Sequence, residues 1–280
     1  MATPPRTLID GLGLPEAPRP APGGGIVFSD VWANAVMSLD LATGVHRVLG
    51  TVPGRPNGLG WLPNGRLVAV SMQTKRLYVL EDRGFVPSVD LSAVAGDLLN
   101  ELVIDEHGRA YVSDHVLASG VTAAERHADA RPAGLFLVDF TDPSPRPRRV
   151  ADGLFGPNGM VILPDGRTLV VAETGRERLT AFTIDDDGSL GSRRVWATLN
   201  FAPDGLALDA SGLIWVASSY PEGCFVRVAE GGEIDHRIML EGDGGFACLV
   251  QDGQLLLLEA PLPAHPDDRR GRIRILAEPV

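Results

Sequence analysis

One spacing recurs six times along this chain of 280 residues: a turn glycine lies eight residues beyond an anchor that is mostly an amide or an acid. The anchors are Glu16, Asn57, Asn100, Asn158, Asp204 and Gly245, and successive anchors stand 41, 43, 58, 46 and 41 residues apart. Between anchor and glycine runs a short apolar stretch such as Leu59 to Leu62, and after the glycine comes another, such as Leu67 to Val70 or Ile214 to Ala217. That is a hairpin closed by Pro-Asn-Gly, Pro-Asp-Gly or Ala-Ser-Gly, residues that accept positive φ or preset a turn. Two more apolar stretches follow in the units, such as Arg76 to Glu81 with Phe85 to Asp90, or Leu179 to Ile184 with Arg194 to Ala197. Four strands repeated every 40 to 50 residues or so is the pattern of a propeller blade. Six units predict an all-β, six-bladed β-propeller spanning residues 1–280 as one domain. A ring must close without a free strand edge, so Arg6 to Ile9 and Arg272 to Leu276 are expected to pair in the last blade.

Composition agrees with this and excludes several functions. The chain holds 33 Gly and 22 Pro yet is 44% hydrophobic, which is too apolar for disorder and too rich in turn residues for a helical bundle. Its formal charge of -11, with Lys75 as the only lysine, argues against a nucleic-acid partner. No apolar run reaches the length of a membrane span, and Met1 to Asp10 lacks the basic patch and apolar stretch of a secretory signal, so a cytoplasmic location is expected. Cys224 and Cys248 are expected to be reduced and buried. The oligomeric state is left open.

In an up-and-down blade, the loop entering the innermost strand and the loop leaving the second strand share one face of the disc, called here the metal face. The anchors therefore converge around the axis, together with the ends of the second strands: Asp30, Ser71, Asp114 with His115, Glu173, Ser218 and Glu259. Glu16, Asn100, Asn158 and Asp204 are hard oxygen donors at the mouth of what reads as an apolar channel. Two carboxylates crowded there would repel each other unless a cation lay between them, and oxygen donors favour Ca²⁺, Mg²⁺ or Mn²⁺. Taken singly, each Pro-Asn-Gly or Pro-Asp-Gly at an anchor also reads as an ordinary turn.

These pieces resemble the senescence marker protein, gluconolactonase and luciferin-regenerating enzyme family. The matching residues are Leu14-Pro15-Glu16-Ala17-Pro18, Gly156-Pro157-Asn158-Gly159-Met160, and Ala202-Pro203-Asp204-Gly205-Leu206 followed by Leu213-Ile214-Trp215-Val216-Ala217. The resemblance covers essentially the whole chain. It implies a six-bladed propeller with a divalent cation in the central channel, Ca²⁺ first and Mg²⁺, Mn²⁺ or Zn²⁺ as the other candidates. It also implies Glu16, Asn158 and Asp204 as the metal ligands. Many sugar lactonases of the family carry Arg-x-Asn-Asp-Gly where this chain has Leu98-Leu99-Asn100-Glu101-Leu102. Leucine offers no donor for sugar hydroxyls, so a more apolar substrate is expected.

The long third unit places an insertion at about 115–132, on the metal face, where its Ala, Glu, Arg and His favour a short helix or lid. His115 stands at its root as a candidate substrate-binding residue, and His127 lies within it. His46, His107, His236 and His265 are expected at the surface. Phe155, Phe201 and Phe246 lie close to anchors and either line the pocket or pack between blades. Asp185-Asp186-Asp187-Gly188 lacks the spaced carboxylates of a calcium loop and reads as a hairpin tip.

The expected activity is metal-dependent hydrolysis of a lactone or related ester, a small-molecule substrate. Asp204 serves as general base, Asn100 orients substrate, and Leu98, His115, Phe155 and Phe201 contribute to the pocket. The alternatives are a metal-dependent isomerase or lyase acting through an enolate on a hydrophobic metabolite, and a binding propeller without turnover.

Overall fold

A computed structural model describes residues 4–116, 129–277 and 279. They form six antiparallel four-stranded sheets, five of them running in chain order from an inner to an outer strand. The inner strands are Pro15–Pro20, Pro56–Trp61, Leu98–Ile104, Pro157–Ile162, Ala202–Leu208 and Asp243–Gln251. Each inner strand packs against the next, and the sixth closes on the first, so the six surround one axis. The last blade takes its outer strand from the N-terminal segment: Arg6–Leu12 pairs with Gly271–Ala277, Arg6 lying opposite Ile275 and Ile9 opposite Ile273. The ring therefore has the architecture and the closure that the repeat predicts.

Burial explains why the second strands read as unbroken apolar runs. Leu67–Ser71 is buried at every residue, because its sheet is covered on both faces by neighbouring blades, whereas the outer strand His46–Thr51 is mostly exposed. Clusters between blades supply the core; one joins Leu179, Trp196, Phe201, Leu206 and Val216 across blades four and five. The six turn glycines of the repeat, Gly24, Gly65, Gly108, Gly166, Gly212 and Gly253, all have positive φ, from 65° to 93°. Both cysteines are free and buried. Asp185 to Gly188 turns between Arg178–Ile184 and Leu190–Thr198, as a hairpin tip should. His46, His107 and His265 are exposed, while His236 is half-buried beside Asp235 and Arg227. Among the described residues no helix is long and apolar enough to cross a membrane. The second strand of blade three ends at His115 and the third begins at Pro132; His127 and residues 117–128 of the expected lid lie outside the described residues.

Candidate metal centre

The anchors do not form turns. All six lie within inner strands, and each strand loses register with its neighbour there: the pairing shifts between Glu16 and Arg19, Pro56 and Leu59, Leu99 and Leu102, Pro157 and Met160, Pro203 and Leu206, and Gly245 and Ala247. A bulge of this kind re-aims side chains, and here it recurs at every anchor around the axis. The glycine after three anchors serves close packing rather than turning. A Cβ on Gly58, Gly159 or Gly205 would lie 2.3, 2.6 or 2.7 Å from the backbone of the next inner strand.

Three amides and a carboxylate are joined in a relay. Asn57 Nδ2 donates to Asn100 Oδ1 at 2.7 Å, Asn100 Nδ2 to Asn158 Oδ1 at 3.0 Å, and Asn158 Nδ2 to Asp204 Oδ1 at 2.6 Å. Thr174 Oγ1 donates to Pro203 O at 2.7 Å and accepts weakly from Asn158 Nδ2 at 3.4 Å, tying two anchors to the turn after the second strand of blade four. Asn57 Oδ1 is buried without a hydrogen-bond partner among the described residues. Glu16 completes the group; the N–H of Ala17, at φ 49°, donates to its Oε2 at 3.3 Å.

Sequence reasoning missed Glu101. It is buried beside the axis, and its carboxylate lies 3.6 Å from the Arg19 guanidinium, which also donates to Leu102 O. Arg19, Glu101, Met160, Leu206 and Cys248 help line a narrow cavity along the axis, so the channel is not simply apolar. The signal was present in the repeat: after the anchor the blades carry Ala17, Gly58, Gly159, Gly205 and Phe246, and only blade three carries an acid.

Glu16 and Glu101, both buried beside Arg19, thus share the axis with the half-buried Asp204. Burial pushes Asp204 up to about 8, with the charge of Glu101 adding to it and the Asn158 hydrogen bond opposing it. Glu101 is raised to about 7, again by burial, against the pull of Arg19. Glu16 is raised well above the carboxylate range by burial and by the charges of Asp204 and Glu101. Among the described residues no three His, Cys, Asp or Glu side chains are grouped closely enough to hold a metal by themselves. A cation held by Glu16 and Asp204 would therefore need amide oxygen as well, and Asn158 is in position to give it. Its amide group now sits against Asp204 as the positive end of a dipole, the place a cation would take. The donor set is all oxygen and short of positive charge, which fits a hard divalent ion.

Around this centre, Leu98 is half-buried and lies opposite His115 in the blade-three sheet. His115 Nδ1 is buried without a partner among the described residues, and burial lowers the ring's pKa, which keeps it neutral at pH 7. Phe155 is half-buried beneath Arg176, whose guanidinium carbon lies 3.7 Å from the ring centroid. Phe201 is buried in the core between blades four and five, and Phe246 joins an apolar cluster with Leu14, Val31, Trp32 and Met72. The acids at the ends of the second strands hold the crossovers that deliver the anchors. Asp30 accepts from the N–H groups of Gly13 and Leu14, Asp114 from that of Gly96, and Glu173 from that of Phe155.

Solved structures share this architecture. A gluconolactonase from Xanthomonas campestris is similar with a TM-score of 0.77 at 21% identity, covering 99% of this chain and 95% of that one. Regucalcin, a calcium-binding protein from Agrobacterium tumefaciens, gives a TM-score of 0.79 at 20% identity over 98% and 94% of the two chains. A luciferin-regenerating enzyme gives 0.80 at 12% identity over 98% and 95%. At these identities the likeness concerns the fold. The family described as SMP-30/Gluconolactonase/LRE-like region matches residues 14–255, nearly the full ring with all six anchors, and the chain belongs to that family.

Proposed function

We propose that the protein is a divalent-cation-dependent hydrolase of a lactone or related ester, acting where the six anchors meet. The observation that carries this reading is the cluster of three acids at the axis, Glu16 and Glu101 buried and Asp204 half-buried, whose nearby counter-charge, Arg19, sits beside Glu101. The gluconolactonase among the structural relatives supports the lactone class. Glu16, Asp204 and the amide oxygen of Asn158, after rotation of its side chain, would hold the ion, with Ca²⁺ the first candidate. When bound, such an ion polarises a carbonyl and offsets negative charge that develops on its oxygen.

Asp204 is the general base. Its Oδ1 is engaged by Asn158, and no hydrogen bond from the described residues reaches Oδ2. Held near 8 by burial, this carboxyl is mostly protonated at neutral pH until positive charge is brought beside it, so charge compensation switches on the base. The carboxylate then takes a proton from the attacking water. When the ring C–O bond breaks, the leaving oxygen takes that proton back. Asn100, held between Asn57 and Asn158, orients the substrate, while Leu98, His115 and Phe155 offer an apolar wall for its body.

The test is proton release from a lactone panel by chelator-treated protein, before and after adding Ca²⁺, Mg²⁺, Mn²⁺ or Zn²⁺, with product formed in ¹⁸O-water analysed by mass. Cation-dependent release with one heavy oxygen in the product acid is expected. Turnover without heavy oxygen would assign the site to isomerisation or elimination instead.

A further inference from the structure

The residues two places before the anchors form a collar around the mouth: Leu14, Arg55, Leu98, Gly156, Ala202 and Asp243. Arg55 is the one cation among them, and Asp243, the one acid, is held by Arg272. Arg55 also sits in a backbone conformation that disfavours a side chain. Its φ is 67°, and at the same place in blade four, where φ is 60°, the residue is Gly156. Every residue with a Cβ is strained in this region, and such strain persists only where the surroundings enforce it. Here the Arg55 N–H donates to Asn34 Oδ1 at 2.9 Å, and its carbonyl accepts from the Met72 N–H at 3.0 Å.

The side chain stacks on an aromatic ring and leaves its polar edge unengaged. Its guanidinium carbon lies 4.6 Å from the centroid of the Trp32 ring, and no ion pair or hydrogen bond engages the guanidinium among the described residues. Trp32 packs in the cluster of Leu14, Val31, Met72 and Phe246, which draws on blades six, one and two and so lies at the metal-face end of the axis. Met72 also links Arg55 to blade three, since its carbonyl accepts from the Leu99 N–H at 3.1 Å, one residue from Leu98 and one from Asn100. A guanidinium stacked on an aromatic face keeps its edge donors free.

We propose that Arg55 is a specificity-determining residue that binds a carboxylate substituent on the substrate. The proposal rests on the hydrolase reading and deepens it: the substrate class becomes a lactone with an apolar body and one carboxylate. The donor missing at Leu98 is thereby supplied from the equivalent position of the preceding blade. A single unpaired cation in the collar matches one negative charge, and its planar fork matches the two oxygens of a carboxylate.

The experiment compares γ-butyrolactone with its 3-carboxylate. The wild type is expected to favour the carboxylate in kcat/KM, and Arg55→Gln to reduce that preference about 10- to 100-fold, the range of one charge-assisted hydrogen-bonded pair. Arg55→Gly suits the left-handed backbone, so it should fold with an equal or higher melting temperature and lose the preference as fully. A wild type that favours the neutral ring, or a preference that survives both substitutions, overturns the proposal. In a second arm, the ring-opened hydroxy diacid is titrated calorimetrically into wild type and Arg55→Gln. A drop in affinity of the same size supports the assignment, and equal affinities overturn it. A wild type that hydrolyses neither lactone defeats the hydrolase reading instead, and the titration then decides Arg55 alone.

Discussion

Glu173 and Glu259, at the ends of the second strands in blades four and six, are fully buried, and at the axis Glu16 and Glu101 are nearly so while Asp204 is half-buried, yet the two groups are compensated in opposite ways. Glu173 accepts from Arg178 Nε at 2.8 Å, Arg193 at 3.2 Å, Thr180 Oγ1 at 2.5 Å and the Phe155 N–H at 3.0 Å. Glu259 accepts from Arg272 and Arg274 at 3.1 and 2.8 Å. Each of these carboxylates has two arginines, whereas at the axis the single Arg19 pairs with Glu101 and acts on Glu16 as well. Even with its arginines, Glu259 is raised by burial. Where positive charge is scarcer, Asp204 rises to about 8 and Glu101 to about 7. A buried carboxylate that fixes structure is supplied with its counter-charge by the chain. The axial trio lacks most of it, and in the proposed reading an ion from solution makes up the deficit.

The largest expected effect separates the two groups by chemistry. Asp204→Asn should lower kcat about 10²- to 10⁴-fold at saturating cation, the range for loss of a general base. Unchanged kcat at saturating cation would remove Asp204 from the mechanism.

The same kind of substitution should then change stability with opposite signs. Glu173→Gln strands two partly exposed arginines and should destabilise the fold by about 2–3 kcal/mol, less than a fully buried pair would lose. Glu16→Gln removes a carboxyl that burial forces to take up a proton on folding and should stabilise the metal-free protein by about 1 kcal/mol. Urea denaturation in the presence of chelator reads both; shifts of the same sign would erase the distinction.

Acidity offers a third contrast. Ordinary carboxylates in the unfolded chain release their protons near pH 4, while the folded axial groups keep theirs up to about 7 for Glu101 and about 8 for Asp204. Between those limits the folded state binds more protons, so stability of the metal-free protein should fall as pH rises from about 4 to about 8. The slope is at most about 1.4 kcal/mol per pH unit for each group still protonated. Saturating cation should flatten it. Thermal melts across pH with chelator would contradict the account if they were flat. The smallest effect is expected for Thr174→Val, which leaves Pro203 O without its donor. Stability should drop by about 1 kcal/mol, and kcat should fall more than KM rises, because Asp204 loses its support rather than its chemistry.

The ring was legible because its signals are periodic. Six turn glycines at a fixed distance from six anchors announce the blades, and the terminal strands had to pair for the ring to close. Asn100, Asn158 and Asp204 could be brought together on the same ground, since equivalent positions in a ring face one axis. Glu101 was not legible as a site residue. The pattern reads Leu98-Leu99-Asn100-Glu101-Leu102 as alternating within a strand, and only the bulge after Leu99 brings Glu101 toward Arg19. Nor does sequence show that Gly58, Gly159 and Gly205 relieve contacts between inner strands, because Pro-Asn-Gly and Pro-Asp-Gly carry the same letters when they turn a chain. Phe155 and Phe201 stand at the same distance from their anchors, yet one lies half-buried beneath Arg176 and the other fully inside the core. That difference arises from packing between blades, which no local spacing encodes.

The central claim is that Glu16, Asn158 and Asp204, at the under-compensated axis, hold a divalent cation. Calorimetric titration of chelator-treated protein with Ca²⁺, in parallel with Glu16→Gln, tests it most directly. The account predicts saturable binding of one ion per chain, weakened at least about 100-fold in the variant, in line with the loss of a buried charged ligand. Absence of saturable binding for Ca²⁺, Mg²⁺, Mn²⁺ and Zn²⁺ alike, or equal binding by wild type and Glu16→Gln, would contradict it.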